Sequence, residues 1–89
     1  MAFTEEVNGG FTVDGETVEN GTQYVRSGGT ANNTTINNDG TQNVSGTANN
    51  TTINDAGRQD VRADGTATGT IINDDGIQFV WADGTANNT

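Results

Sequence analysis

The side chains that could do chemistry in this sequence are carboxylates and hydroxyls. Twelve Asp and Glu residues stand against three basic ones, Arg26, Arg58 and Arg62, for a formal net charge of −9 over 89 residues. Histidine, cysteine and lysine are absent. A nucleophile needs an activating base within hydrogen-bond reach, so only a carboxylate pair is left for catalysis. Asp74 with Asp75, Asp64 and Asp83 could be proposed for such a pair. Acidic residues in turns more simply keep a repetitive surface solvated. The sequence therefore reads as non-enzymatic, with no catalytic residue and no cofactor site.

Oxygen-rich turns stacked in register can hold a hard cation such as calcium. The calcium-binding nonapeptide G-G-x-G-x-D-x-U-x is absent, and Asp64 is matched by Gly28 in an earlier copy, so no metal site is assigned. Ser27 and Ser45 each follow closely on a valine and precede glycine. Such hydroxyls can be modification acceptors on an exposed loop, or small turn residues bonded to their own backbone. Triplets such as Asn20-Gly21-Thr22 and Asn33-Thr34-Thr35 match the asparagine-glycosylation sequon, but an Asn- and Thr-rich sequence produces them by chance. The acidic balance disfavours nucleic acid and anionic membrane surfaces as partners. The start MAFTEEV has no basic or apolar leader region, and no run approaches the ~18 apolar residues of a membrane span.

The elements that position these groups follow from a repeat. Low apolar content, 29%, together with a net charge of −9 is the composition of a disordered chain. Against this, proline is absent and Thr, Val and Ile are frequent. Aligning on glycine gives units 21–39, 40–56, 57–75 and a shorter 76–89, each of the form G-x-Q-x-V, a variable loop, then G-T-A. The three complete units continue to T-x-I-N. A period near 20 residues signals a solenoid whose units bury their apolar faces only by stacking.

Strands fit the units better than helices. Val25, Val44, Val61 and Val80 are always the middle residue of a triplet whose neighbours vary freely, the pattern of an inward position flanked by outward ones. Ile36, Ile53 and Ile72 form a second inward set, with Thr34, Thr51 and Thr70 two residues earlier. The second unit lacks two residues after Val44, a change that preserves strand phase but would rotate a helix by about half a turn. The expectation is strand, loop, strand in each coil, with Asn37, Asn54 and Asn73 in a hydrogen-bonded ladder. Outward Tyr24, Phe79 and Trp81 are candidate interface residues, the last two placed two coils above Arg58 and Arg62. Residues 1–20 read as a degenerate first coil or partial cap, because Val18 lies three residues before Gly21 where each isoleucine lies four before its glycine. The repeat breaks off at Asn87-Asn88-Thr89, as a section of a longer solenoid would.

GTQNVSGTANNTTIN and GTQYVRSGGTANNTTINNDG resemble the ~19-residue repeats of self-associating, diffuse-adherence (AIDA-type) autotransporter adhesins of Gram-negative bacteria. The resemblance implies an all-β, right-handed parallel β-helix carried to the cell surface by a C-terminal barrel outside this chain. It implies passenger domains that bind one another and host cells, causing aggregation, adhesion and biofilm formation. It further implies a cytosolic heptosyltransferase as partner, acting on the loop after the valine. The matching hydroxyls are Ser27 and Ser45, with Thr66 and Thr85 as weaker candidates where the loop reads Ala-Asp-Gly. From the residues alone, a β-helical polysaccharide-processing enzyme and a phage tail fibre remain open.

Overall fold

The computed structural model describes residues 4–73 and 75–87. Within them the chain winds through five coils. The first holds β1 (Thr4–Val7), β2 (Thr12–Asp14) and β3 (Thr17–Glu19). The second holds β4 (Thr22–Val25), β5 (Thr30–Asn32) and β6 (Thr35–Asn37), and the third β7 (Thr41–Val44), β8 (Thr47–Asn49) and β9 (Thr52–Ile53). The fourth holds β10 (Arg58–Val61), β11 (Thr66–Thr68) and β12 (Ile71–Ile72), and the fifth β13 (Ile77–Val80) and β14 (Thr85–Asn87). Every pairing joins one coil to the next in parallel, which makes a parallel β-solenoid with three sheets. The first sheet runs β1-β4-β7-β10-β13, the second β2-β5-β8-β11-β14 and the third β3-β6-β9-β12.

A third strand in each of these coils, which builds the second sheet, corrects the expectation of two strands and a loop. Thr-Ala-Asn, or Thr-Ala-Thr in the fourth coil, read as part of the loop, is a short strand in its own right, with Ala31, Ala48 and Ala67 fully buried between outward polar neighbours. Alanine carries little β propensity, so the segment gives a weak strand signal by itself. Parallel pairing to the coils on either side supplies its backbone bonds.

The core is a narrow column. Val7, Val25, Val44 and Val61 line the first sheet, the buried alanines the second, and Val18, Ile36 and Ile53 the third. Equal registers stack like on like, Val25 on Val44 on Val61 and Ile36 on Ile53. Polar residues share the interior. Gln23, Gln42 and Gln59 are fully buried, as are Thr34 and Thr51, with Thr70 nearly so. Val80 and Ile72 hold the same register in the last described strands of their sheets and are 47% and 43% exposed there.

Gly40, Gly57 and Gly76, which open three of the repeats, are needed for close approach rather than for a left-handed backbone. A Cβ on Gly57 would lie 2.8 Å from Ile36 Cγ2, and one on Gly76 2.7 Å from Ile53 Cγ2. The positive φ values at this corner fall just before them, on Asn38 and Asp39, Asp55 and Ala56, and Asp75. Asn and Asp tolerate that region better than most residues.

Candidate functional surface

Alternation in the first sheet sends Gln and Val inward and the residues between them outward. Register then builds outward columns. One reads Glu6, Tyr24, Asn43, Asp60, Phe79 along the five coils. The backbone bonds Arg26 N to Val7 O, Ser45 N to Val25 O, Arg62 N to Val44 O and Trp81 N to Val61 O set a second column of Arg26, Ser45, Arg62 and Trp81.

A third outward column, Thr22, Thr41, Arg58 and Ile77, brings all three basic residues of an acidic chain onto this face, each against an aromatic ring. The Arg26 guanidinium carbon lies 5.1 Å from the Tyr24 ring centre, Arg58 4.6 Å from Phe79 and Arg62 4.8 Å from Trp81. Arg58 and Arg62 thus sit in the coil next to the two aromatics, not two coils away. Asp60, 3% exposed, lies between the two arginines: Arg58 Nε donates to its Oδ1 at 2.9 Å, and Arg62 Nη2 is 3.8 Å from Oδ2. Phe79 and Trp81 remain about half exposed, beside Ile77 at 47%. Tyr24 is half-buried. The three candidate interface residues therefore share one face, with Tyr24 separated from the other two by the third and fourth coils.

The candidate hydroxyls do not share an environment. Ser27 is exposed at the second position of a turn closed by Gly29 N donating to Arg26 O at 2.8 Å, with Gly28 at φ 84°. The same turn recurs as Arg62-Ala63-Asp64-Gly65 and Trp81-Ala82-Asp83-Gly84, so Ala63 and Ala82 replace the serine. In the third coil the turn is deleted. Ser45 stands in register with Arg26, not with Ser27, and it is half-buried. Thr66 and Thr85 open β11 and β14 and belong to a column of outward threonines with Thr12, Thr30 and Thr47. Asp64, Asp75 and Asp83 are exposed turn residues, and Asp74 lies outside the described residues. Among the described residues there is neither an enclosed pocket nor a cluster of three or more potential metal ligands. None of their helices is long and apolar enough to cross a membrane, because they form no helix.

Polar ladders run along the stack. Asn54 Nδ2 donates to Asn37 Oδ1 at 3.1 Å and Asn73 Nδ2 to Asn54 Oδ1 at 3.0 Å, as the sequence leads one to expect. A parallel bond joins Asn49 to Asn32 at 2.9 Å. The interior ladder is the one sequence reasoning missed. Gln78, Gln59 and Gln42 each donate through Nε2 to the Oε1 of the glutamine one coil earlier at 2.7 Å, and Gln23 Nε2 donates to Glu5 Oε1 at 2.8 Å. Its signal was present: glutamine is two residues before the inward valine in all four repeats, which period-two alternation assigns to the same face.

Comparison with known proteins gives these features a family. The family model described as AIDA, adhesin of bacterial autotransporter system, probable stalk, matches residues 44–89, just over half the chain. A crystal structure of a TibC-catalysed, hyper-glycosylated TibA fragment is similar to the chain, with 39% identity and a TM-score of 0.64. The match covers 93% of this chain and 38% of that one, so the chain spans well under half of that structure. Comparison with curated proteins finds no match. The chain belongs to the AIDA family of bacterial autotransporter adhesins and falls in the segment described as their probable stalk.

Proposed function

We propose that this chain is a non-enzymatic, adhesive section of an autotransporter passenger at the cell surface, binding like chains and carrying sugar on its corner hydroxyls. The observation that carries the adhesive reading is the in-register outer surface. Thr and Asn recur at strand spacing on the second and third sheets, while Arg26, Arg58, Arg62, Tyr24, Phe79 and Trp81 gather on the first. Repeated hydrogen-bonding groups and half-exposed aromatics suit contact with a second solenoid of the same kind, and a host-cell surface is a further partner in this reading.

The sugar reading is supported by the similarity to a glycosylated TibA fragment together with the exposed turn at Ser27. Heptose transfer by a cytosolic enzyme would use Ser27 first, then Thr85, with Ser45 and Thr66 less accessible. Co-expression with a family heptosyltransferase tests this by intact mass and site mapping. Addition of heptose units, reduced by Ser27→Ala, is the expected result, and an unchanged mass beside an active transferase refutes it. Bacteria displaying the chain within a passenger should settle faster than bacteria lacking it. Settling unaffected by Trp81→Ala together with Phe79→Ala would remove the first sheet face from the interface.

A further inference from the structure

We propose that the first coil, residues 4–19, is a stop that closes the N-terminal face of the solenoid to end-on pairing by a second copy. The two faces of the stack differ. Val7 and Val18 in the first coil are 1% and 0% exposed, whereas Val80 and Ile72, which hold their columns in the last described strands, are 47% and 43% exposed. This stop is separate from the adhesive faces, which run along the outside of the stack.

The amide columns carry a direction, and carboxylates in the first coil end them. In the interior column Gln78, Gln59, Gln42 and Gln23 each donate toward the preceding coil, where Gln23 Nε2 meets Glu5 Oε1 at 2.8 Å. On the outer faces Asn49 donates to Asn32, Asn73 to Asn54 and Asn54 to Asn37. Register places Asp14 beside Asn32 and Glu19 beside Asn37. Both accept from the second coil, Asp14 Oδ1 from Asn33 Nδ2 at 3.3 Å and Glu19 Oε2 from Asn38 Nδ2 at 3.4 Å. An amide donates and accepts, so it continues a column, whereas a carboxylate only accepts. A copy set end-on against this face would bring its Gln78 to Glu5, and the carboxylate, with no hydrogen to give, would be buried without a donor from that side.

The corners exclude an end-on copy by shape. The residue before β5, β8, β11 and β14 is Gly29, Gly46, Gly65 and Gly84 in turn. A Cβ there would run into a backbone carbonyl of the preceding coil: Val7 O for Gly29, Arg26 O for Gly46, Val44 O for Gly65 and, at 2.7 Å, Val61 O for Gly84. The first coil has Phe11 in that place, 65% exposed, with its carbonyl accepting from Thr30 N at 3.0 Å. By the same register its Cβ would meet the Val80 carbonyl of an end-on copy. Phe3 precedes β1 as Gly21 precedes β4, so the sequence repeats the exchange at a second corner, at a residue outside the described ones.

Sedimentation velocity and electron microscopy of the 89-residue chain and of two rewritten forms test this. Both forms carry Glu5→Gln, Asp14→Asn and Glu19→Asn. One adds Phe3→Gly and Phe11→Gly, and the other Phe3→Ala and Phe11→Ala, which keep the obstructing Cβ. The glycine form should grow into rods one solenoid wide, with mean length rising about tenfold for about a hundredfold rise in concentration, the square-root law of open head-to-tail growth. Wild type added in small proportion should shorten these rods, because it joins through its open face and then ends growth in the N-terminal direction. Wild type alone and the alanine form should give no rods over the same concentrations. Rods from wild type, rods from the alanine form as long as those of the glycine form, or a glycine form with the size distribution of wild type would each overturn the proposal.

Discussion

Substituting Gln42 by leucine separates a hydrogen-bonded core column from one that is merely buried. Leucine has similar volume and sits in a fully buried position, so packing changes little. The substitution removes the donor to Gln23 Oε1 and the acceptor of Gln59 Nε2, both at 2.7 Å in the wild type. Each buried orphan costs about 1–3 kcal/mol, and burying leucine instead of an amide returns a part of the sum. The net expectation is a loss of about 1–4 kcal/mol in urea unfolding followed by far-UV circular dichroism. The decisive comparison is the double variant Gln23→Leu, Gln42→Leu. It still breaks the ladder at two ends, but one end is now Glu5, which is only half-buried and can regain water. The double variant should therefore be no less stable than Gln42→Leu alone. Costs that simply add, or a single variant within about 0.5 kcal/mol of wild type, would refute the reasoning.

Other outcomes follow from the same geometry. Gly57→Ala should lose about 1–3 kcal/mol in the same unfolding assay, because the new methyl meets Ile36 Cγ2 at 2.8 Å. Ile53→Ala should lose about 2–5 kcal/mol, since the residue is fully buried and stacked on Ile36. Arg62→Ala should shift the emission of Trp81, the single tryptophan, while costing about 0.5–1 kcal/mol, as the cation over the ring is partly exposed. In mapped glycopeptides, Ala63→Ser should create an acceptor in the fourth coil, because position 63 repeats the turn position of Ser27.

What the sequence makes legible is whatever recurs with a side chain that has one obvious preference. Val25 and Ile36 announce themselves because their neighbours vary while they do not. Gln23 recurs just as strictly, yet a polar amide reads as solvent-facing until a partner one coil away is known. That partner, Gln42, is 19 residues distant, and only register brings the two amides to 2.7 Å. The pairing of Ser45 with Arg26 was hidden for a related reason. Matching residues by type set serine beside serine, whereas backbone bonds show that the third coil deletes the turn itself. The arginine and aromatic pairs needed the one-coil register of Arg58 with Ile77 and of Asp60 with Phe79 before any contact could be inferred.

The ladders also answer a problem that the apolar column cannot solve. The second and third coils each bury one valine, one alanine and one isoleucine, too little apolar surface to discriminate strongly between neighbouring registers. A one-residue slip of β7 against β4 would point Asn43 inward in place of Val44. A two-residue slip would keep the faces but set Val44 against Gln23, leaving both glutamine ends without partners. The first error costs a valine burial, and the second costs two buried polar groups at about 1–3 kcal/mol each. The apolar column guards against odd slips and the amide column against even ones. A solenoid built from near-identical units needs both, since any coil could otherwise pair with its neighbour in several ways. The glutamine at every Q-x-V is therefore a register lock first, and its contribution to net stability is secondary.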